Sequence, residues 1–251
     1  MVRTLALIGS GNIGGAVARL AVAAGVDVIL SNARGPESLA DLVAELGERS
    51  RAATPVQAAQ AGDLVVATIP MHAYRQLPAS ALAGKTVIDT MNYYPDRDGR
   101  IPELEAGTLT SSALVQQHLA DSRVVKAFNN IDFRRLFTLA RPVGDPDRSA
   151  LPISGDDRDA KAEVADLLDT LGYDSVDIGS LADSWRSQPG TPVYVQPYFP
   201  FSTPTDLSQE AIYRWYLQTP GVPIPAEQVR RLADAAARTA VDDSGATSAH
   251  G

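Results

Sequence analysis

The sequence predicts an α/β protein built on a doubly wound, mainly parallel sheet, with a short helical extension at its C-terminal end. Three observations predict it. From residue 3 to residue 178, short β-branched runs alternate with Ala-rich segments of helical period. A glycine-rich turn, Gly9-Ser-Gly-Asn-Ile-Gly14, separates the first run from the first helical segment. After residue 181 the alternation stops, and prolines interleaved with aromatic residues take over.

In chain order, strands are expected at 4–8, 27–31, 64–69, 86–89, 124–127, 151–154 and 175–178, where short runs rich in Val, Ile and Leu stand between turn residues. Helices are expected at 13–24, 36–46, 55–61, 111–119, 131–140 and 158–171. Their ends carry helix punctuation. Gly25 follows the first helix, Pro36 suits a first helical position, Gly47 and Gly172 suit C-caps, and Thr110 or Ser111 suits an N-cap. Between 188 and 204, Pro189, Pro192, Pro197, Pro200 and Pro204 alternate with Tyr194, Tyr198, Phe199 and Phe201. Such a segment is neither a regular helix nor a central strand, and its aromatic density predicts an ordered arm. Helices at 206–218 and 226–240 follow it. The chain thus divides into a Rossmann-type nucleotide-binding domain (1–182), an arm with two helices that serves an acceptor site or a dimer contact (183–241), and a frayed tail (242–251).

Composition narrows the function. The chain has 251 residues, with 22 Lys+Arg against 30 Asp+Glu and a net charge of -8, which disfavours nucleic acid as a partner. It has no Cys, so there is no disulfide, thiolate nucleophile or Cys-ligated metal. His72, His118 and His250 are its only histidines, and no metal site is expected. No run approaches the roughly 20 apolar residues of a membrane span. The apolar run after Met-Val-Arg-Thr is too short for a signal peptide. A cytoplasmic protein without a membrane partner is expected.

Each glycine of the turn has its own task. Gly9 permits the tight bend, Gly11 lets a diphosphate approach the backbone, and Gly14 lets the helix pack on the sheet. With Ser10, Asn12 and Ile13 they form the expected phosphate loop, whose free amides and helix dipole favour an anion. An NAD site would carry an acid about 20 residues further on. Here the second strand ends Ile29-Leu-Ser-Asn-Ala-Arg-Gly-Pro36 instead. Ser31 and Asn32 offer hydrogen bonds and Arg34 a fixed cation, which suits the 2′-phosphate of NADP. Glu37, the nearest acid, lies past Pro36.

Four motifs in order, namely Ser31-Asn-Ala-Arg-Gly-Pro-Glu-Ser-Leu39 after the glycine turn, Val65-Val-Ala-Thr-Ile-Pro70, Val87-Ile-Asp-Thr-Met-Asn92 and Arg123-Val-Val-Lys-Ala-Phe-Asn-Asn130, resemble the NADP oxidoreductases dependent on coenzyme F420. The resemblance spans about residues 2–182. It implies hydride exchange between NADPH and a deazaflavin, coenzyme F420, as co-substrate, in a homodimer. It also implies that Gly11, Asn12 and Ile13 line the diphosphate and that Ser31, Asn32 and Arg34 line the 2′-phosphate. Ile69, Pro70 and His72 would flank the ribose and phosphates or the nicotinamide mouth, with Asn92 and Ala127 near the nicotinamide. The family commonly has Pro directly after the Asn of the third motif, where this chain has Tyr93-Tyr94-Pro95.

Ligands of open α/β sheets collect beyond the carboxyl ends of the strands, around Pro70–His72, Met91–Tyr94 and Phe128–Asn130 here. His72 is a candidate catalytic acid, or a phosphate or ribose contact. Tyr93 and Tyr94 either stack on a planar acceptor or pack their own loop, and Asn129 faces the same crevice. Lys126 either pairs with Asp89 or reaches an anionic substrate. Arg134 and Arg135 are candidates for the acidic tail of a deazaflavin, or a solvated helix face. Three functions compete: an NADP-linked F420 reductase, an NADPH reductase of another small electrophile (ketone, imine or quinone), and an NADP-binding sensor without turnover.

Overall fold

The computed structural model describes residues 2–202, 204 and 208–237. Eight strands form one sheet in the order β3-β2-β1-β4-β5-β6-β7-β8. They are β1 (Thr4–Ile8), β2 (Asp27–Ser31), β3 (Ser50–Ala52), β4 (Leu64–Ala67), β5 (Thr86–Asp89), β6 (Arg123–Lys126), β7 (Ala150–Gly155) and β8 (Asp174–Asp177). All neighbours are parallel except β6 and β7. Pro152, which lacks an N–H, sits in the part of β7 that β6 does not pair, because that antiparallel ladder joins only Val125 with Gly155 and Lys126 with Ser154. β3 was not expected. Ser-Arg-Ala is short, half exposed and at the sheet edge, so it carries neither a β-branched run nor an apolar alternation.

Helices cover both faces: α1 (Asn12–Ala23), α2 (Ala40–Leu46), α3 (Pro55–Ala61), α4 (Ala79–Leu82), α5 (Pro95–Asp98), α6 (Pro102–Glu105), α7 (Ser111–His118), α8 (Phe133–Thr138), α9 (Arg158–Thr170), α10 (Gln209–Gln218) and α11 (Ala226–Asp234). The two faces are legible residue by residue. Leu5, Leu7, Leu30, Val66, Ile88 and Val125 join one core with α1, α8, α9 and α11. Their neighbours Ala6, Ile8, Ile29, Val65, Val87 and Val124 join the other, with α3, α4 and α7. A strand buried on both sides reads as an unbroken apolar run, which is why Leu-Ala-Leu-Ile and Leu-Val-Val-Ala were visible as interior strands.

Several expected helices are shorter or divided. The segment 36–46 is a 3-10 turn at Pro36–Leu39 followed by α2, and the segment 131–140 begins only at Phe133, because Asp132 caps it by accepting from the amides of Arg134 and Arg135. The loop after Asn92 holds α5 and α6, which are too short to leave a periodic signal. The C-terminal extension packs on the sheet domain: Val193, Tyr198, Ile224, Val229 and Ala233 share the core of β7 and α9. The last expected helix, 226–240, ends at Asp234 with Ala235 as its C-cap, and its expected residues 238–240 and the expected tail at 242–251 lie outside the described residues. Among the described residues no helix is long and apolar enough to cross a membrane.

β1 and β4 are neighbours although β2 and β3 lie on one side of β1 and the later strands on the other. The crossover connections therefore diverge at β1 and β4, and a crevice opens beyond their carboxyl ends.

Candidate active site

A cleft of about 610 Å³ runs from the start of α1, past the ends of β4, β5 and β6, to the C-terminal arm. The glycine turn fixes its first end. Gly9 has φ +104, and a Cβ there would lie 2.5 Å from the Thr68 carbonyl oxygen. A Cβ on Gly14 would lie 2.4 Å from the Gly9 carbonyl oxygen. Both positions therefore need glycine to fold. Gly11 differs, because a Cβ there would meet nothing within 4 Å and Gly11 lines the cleft. No side chain caps α1, so its first amides open on the cleft beside Asn12 and Ile13. This is an anion cradle whose protein side is complete without filling the space in front of Gly11.

The loop is pinned from behind. The amide of Gly9 and the hydroxyl of Ser10 both donate to the Ser31 carbonyl, at 2.9 and 3.1 Å. The Thr68 hydroxyl donates to the Gly9 carbonyl at 2.5 Å. Sequence reading missed Thr68, which follows β4 and fills the space that Gly9 and Gly14 leave. Its signal was the polar residue between the apolar strand and Ile69-Pro70.

The second strand ends beside this loop. Ser31 is fully buried and its hydroxyl donates to the Leu7 carbonyl at 2.8 Å, so its side chain ties β2 to β1 and does not face a 2′-phosphate. Asn32 accepts from the Arg34 amide at 2.9 Å and donates to the Ser38 hydroxyl at 2.9 Å. That turn leaves Arg34 exposed, with no protein acceptor recorded for its guanidinium among the described residues. Ser38, which also donates to the Gly35 carbonyl at 2.7 Å, is the organiser of this turn that sequence reading missed.

At the far end of β5 and β6 two carboxamides face each other. Asn92 donates to the Asn129 carbonyl at 2.8 Å, and Asn129 donates back to Asn92 Oδ1 at 3.1 Å. Both line the cleft, as do Ile69, Pro70 and Phe128. Phe128 has φ +61, the left-handed region that a bulky residue avoids at a cost on the order of 1–3 kcal/mol. Strain of this kind persists where the surroundings over-determine it, and here Phe128 is wholly buried beneath the cleft floor. Ala127 is buried behind it and does not line the cleft.

Other expected residues lie elsewhere. His72 is not on the cleft wall. Its Nδ1 lies 3.0 Å from Asp98 Oδ1, which also accepts from the His72 amide at 3.3 Å. Burial of Asp98 works to raise its pKa, but bonds from Arg97, the Tyr94 amide and His72 outweigh that and hold the carboxyl below its ordinary range. His72 therefore anchors α5. Tyr93 packs its own loop, donating to the Gly99 carbonyl and accepting from the Ile101 amide, each at 3.0 Å. Arg135 is fully buried. Its guanidinium lies 4.0 Å over the Phe199 ring and 4.9 Å over that of Tyr216, and it bonds the Thr219 carbonyl. It clamps the arm to α8 and cannot reach an acidic tail. Arg134 is exposed and outside the cleft lining. Lys126 is buried against Asp89 at 3.1 Å, the structural pairing.

The arm closes the cleft over its own subunit. Tyr194, Val195 and Tyr216 line it opposite Tyr94, and the hydroxyls of Tyr94 and Tyr194 are hydrogen-bonded to each other. Burial, then the neighbouring Tyr94, pushes the Tyr194 phenol well above its ordinary pKa. Burial, then the Asp132 carboxylate, does the same to Tyr216. Both phenols stay protonated across the ordinary working range of pH.

Residues 4–93, from β1 through the turn after β5, match the family described as NADP oxidoreductase, coenzyme F420-dependent. A solved structure, hypothetical protein SMa0349 from Sinorhizobium meliloti, is 31% identical with a TM-score of 0.67, covering 76% of this chain and 92% of that one. The chain belongs to the F420-dependent NADP oxidoreductase family. A second relative of this family type, a proposed F420-dependent NADP reductase from Arthrobacter sp. FB24, is 25% identical with a TM-score of 0.61, covering 73% of this chain and 87% of that one. The Escherichia coli (strain K12) protein YjhV is 39% identical over 64 residues, which are 26% of this chain and 43% of that protein. The chain thus spans less than half the length of this curated relative. Family membership and the Rossmann-like sheet make it an NADP-dependent oxidoreductase.

Proposed function

We propose that this family member exchanges hydride between NADP(H) and the deazaflavin coenzyme F420, with the acceptor seated at the arm-covered end of the cleft. One observation carries the reading. The uncapped start of α1 and the Asn92–Asn129 pair open on a single cleft whose remaining wall is mainly apolar and aromatic, with Arg97 and Asp132 as its charged members. Amides of residues 12–14 hold the diphosphate, and Asn32 and Arg34 hold the 2′-phosphate. Asn92 flanks the nicotinamide. NADPH, when bound, supplies the hydride, so no side-chain nucleophile is needed. The protein's task is to hold two planar groups within about 3–3.5 Å and exclude water, which the arm does from above. Support for the deazaflavin comes from the family. Electrostatics add a condition, since Arg135 is buried and the acidic tail is left to the exposed Arg97, Arg100 and Arg134, on a chain of net charge -8.

The test is F420 reduction by NADPH, followed by the loss of deazaflavin absorbance at two ionic strengths. Turnover that weakens as salt rises is the expected result. No turnover at either ionic strength, in protein that binds NADPH, would remove F420 as the acceptor.

A further inference from the structure

The paired hydroxyls of Tyr94 and Tyr194 belong to none of the roles assigned above. They join the loop after β5 to the arm across 100 residues of sequence, and both line the cleft. The placement of Tyr94 is fixed from three sides. Its amide donates to Asp98 Oδ2 at 2.9 Å, its hydroxyl meets Tyr194, and the Arg97 guanidinium lies 4.9 Å from its ring centroid. The same guanidinium donates to the Asn92 carbonyl at 2.9 Å, so one arginine ties the Tyr94 ring to the residue that flanks the nicotinamide. The other phenols of the cleft are placed differently. Tyr216 faces the Asp132 carboxylate, and Tyr213 is 59% exposed.

We propose that Tyr94 Oη is the proton donor for a second activity, NADPH-dependent reduction of small neutral aldehydes or ketones, with Tyr194 holding it in place. The inference rests on the reading of the Gly11 end as the NADP(H) site. The carbonyl carbon receives the hydride, the carbon–oxygen π pair collects on oxygen, and Tyr94 Oη supplies the proton that completes the alcohol. The Tyr94 oxygen then recovers a proton from water entering the cleft, while the Tyr194 hydroxyl holds it by their hydrogen bond; NADPH is oxidised to NADP and the carbonyl is reduced. An alkoxide is a strong base, and the Tyr94 hydroxyl, held by Tyr194 on the cleft wall, is placed to donate to it. Arg97 over the ring offsets the charge that develops on Tyr94 when its proton leaves. Asp98 also faces this loop, but Arg97, His72 and the Tyr94 amide occupy its oxygens. Met91, Ile131 and Ile212 line the same cleft, and its charged members Arg97 and Asp132 are engaged with Asp98 and Arg135, which favours an uncharged substrate.

Two readouts test it. Calorimetry measures binding of cyclohexanecarboxamide, an unreactive carbonyl, to the full chain saturated with NADP. Tyr94→Phe should weaken the amide at least about tenfold and leave NADP affinity within about twofold, since only a hydroxyl is lost. Turnover of a panel of neutral aldehydes and ketones should fall about 100-fold or more in Tyr94→Phe and about tenfold in Tyr194→Phe, which spares the donor and removes its support. Unchanged amide affinity in Tyr94→Phe, or no turnover of any panel member by wild-type protein that binds NADPH, would overturn the proposal. Failure to bind NADPH at all would overturn this inference together with the reading beneath it.

Discussion

Lys126→Met is expected to destabilise the fold by about 3–5 kcal/mol, the range for removing one partner of a buried ion pair. Lys126 and Asp89 have side chains 1% and 0% exposed, and Nζ lies 3.1 Å from Asp89 Oδ2. Burial pushes the lysine pKa down, and the charge and hydrogen bond of Asp89 oppose that shift. Without the ammonium, Asp89 keeps the Ser112 hydroxyl at 2.7 Å and the Met91 amide at 2.8 Å, but loses its counter-charge in the middle of the sheet. Lys126 also bonds the Met91 carbonyl, so the pair fixes the turn that carries Asn92 into the cleft. A urea titration checks the loss, and the double variant Lys126→Met, Asp89→Asn should regain part of it because no charge is left buried. A midpoint for Lys126→Met equal to that of wild type would show that the pair is not an interior one.

Gly11→Val should separate cofactor binding from folding. Gly11 has φ -79 and ψ -155, outside the left-handed region, and a Cβ there would stand in open space at the end of the cleft that Gly11 lines. Valine is a poorer N-cap, which costs no more than about 1 kcal/mol. Its isopropyl group, however, occupies the space where a diphosphate would meet the helix amides. NADPH affinity should fall about 100-fold or more, equivalent to about 2.8 kcal/mol. A fluorescence titration with NADPH beside a melting curve makes the comparison. Equal NADPH affinity in both proteins would exclude the start of α1 as the phosphate site.

The sheet was legible because each interior strand is buried on both faces and so reads as an apolar run. β3 was not, since an exposed edge of Ser-Arg-Ala carries no such mark. The glycine turn was legible for a comparable reason: steric demands at Gly9 and Gly14 come from the fold itself, and the turn sits between a strand and a helix. Side-chain direction was less accessible. Ser31 and Arg34 stand three residues apart in the same motif, yet one turns into the sheet and the other to solvent, and the alternation at the end of a strand decides which. Arg135 looked like a surface cation because α8 is polar on its N-terminal turn. Its burial depends on Phe199 and Tyr216, which arrive from more than 60 residues away. His72 was misread for a similar reason, because Asp98, its partner, lies on a short helix with no periodic signal. Tyr194 could be found as part of an ordered aromatic arm, but its meeting with Tyr94 is a tertiary fact.

The central claim is that this cleft takes NADP(H), with the 2′-phosphate read by Arg34 at the end of β2. Calorimetric titration of wild type and Arg34→Ala with NADPH and NADH tests it most directly. The account predicts tighter binding of NADPH than NADH by wild type, a loss of about 1.5–3 kcal/mol for NADPH in Arg34→Ala, and almost no change for NADH. Equal losses for the two cofactors, or equal affinities in wild type, would contradict it.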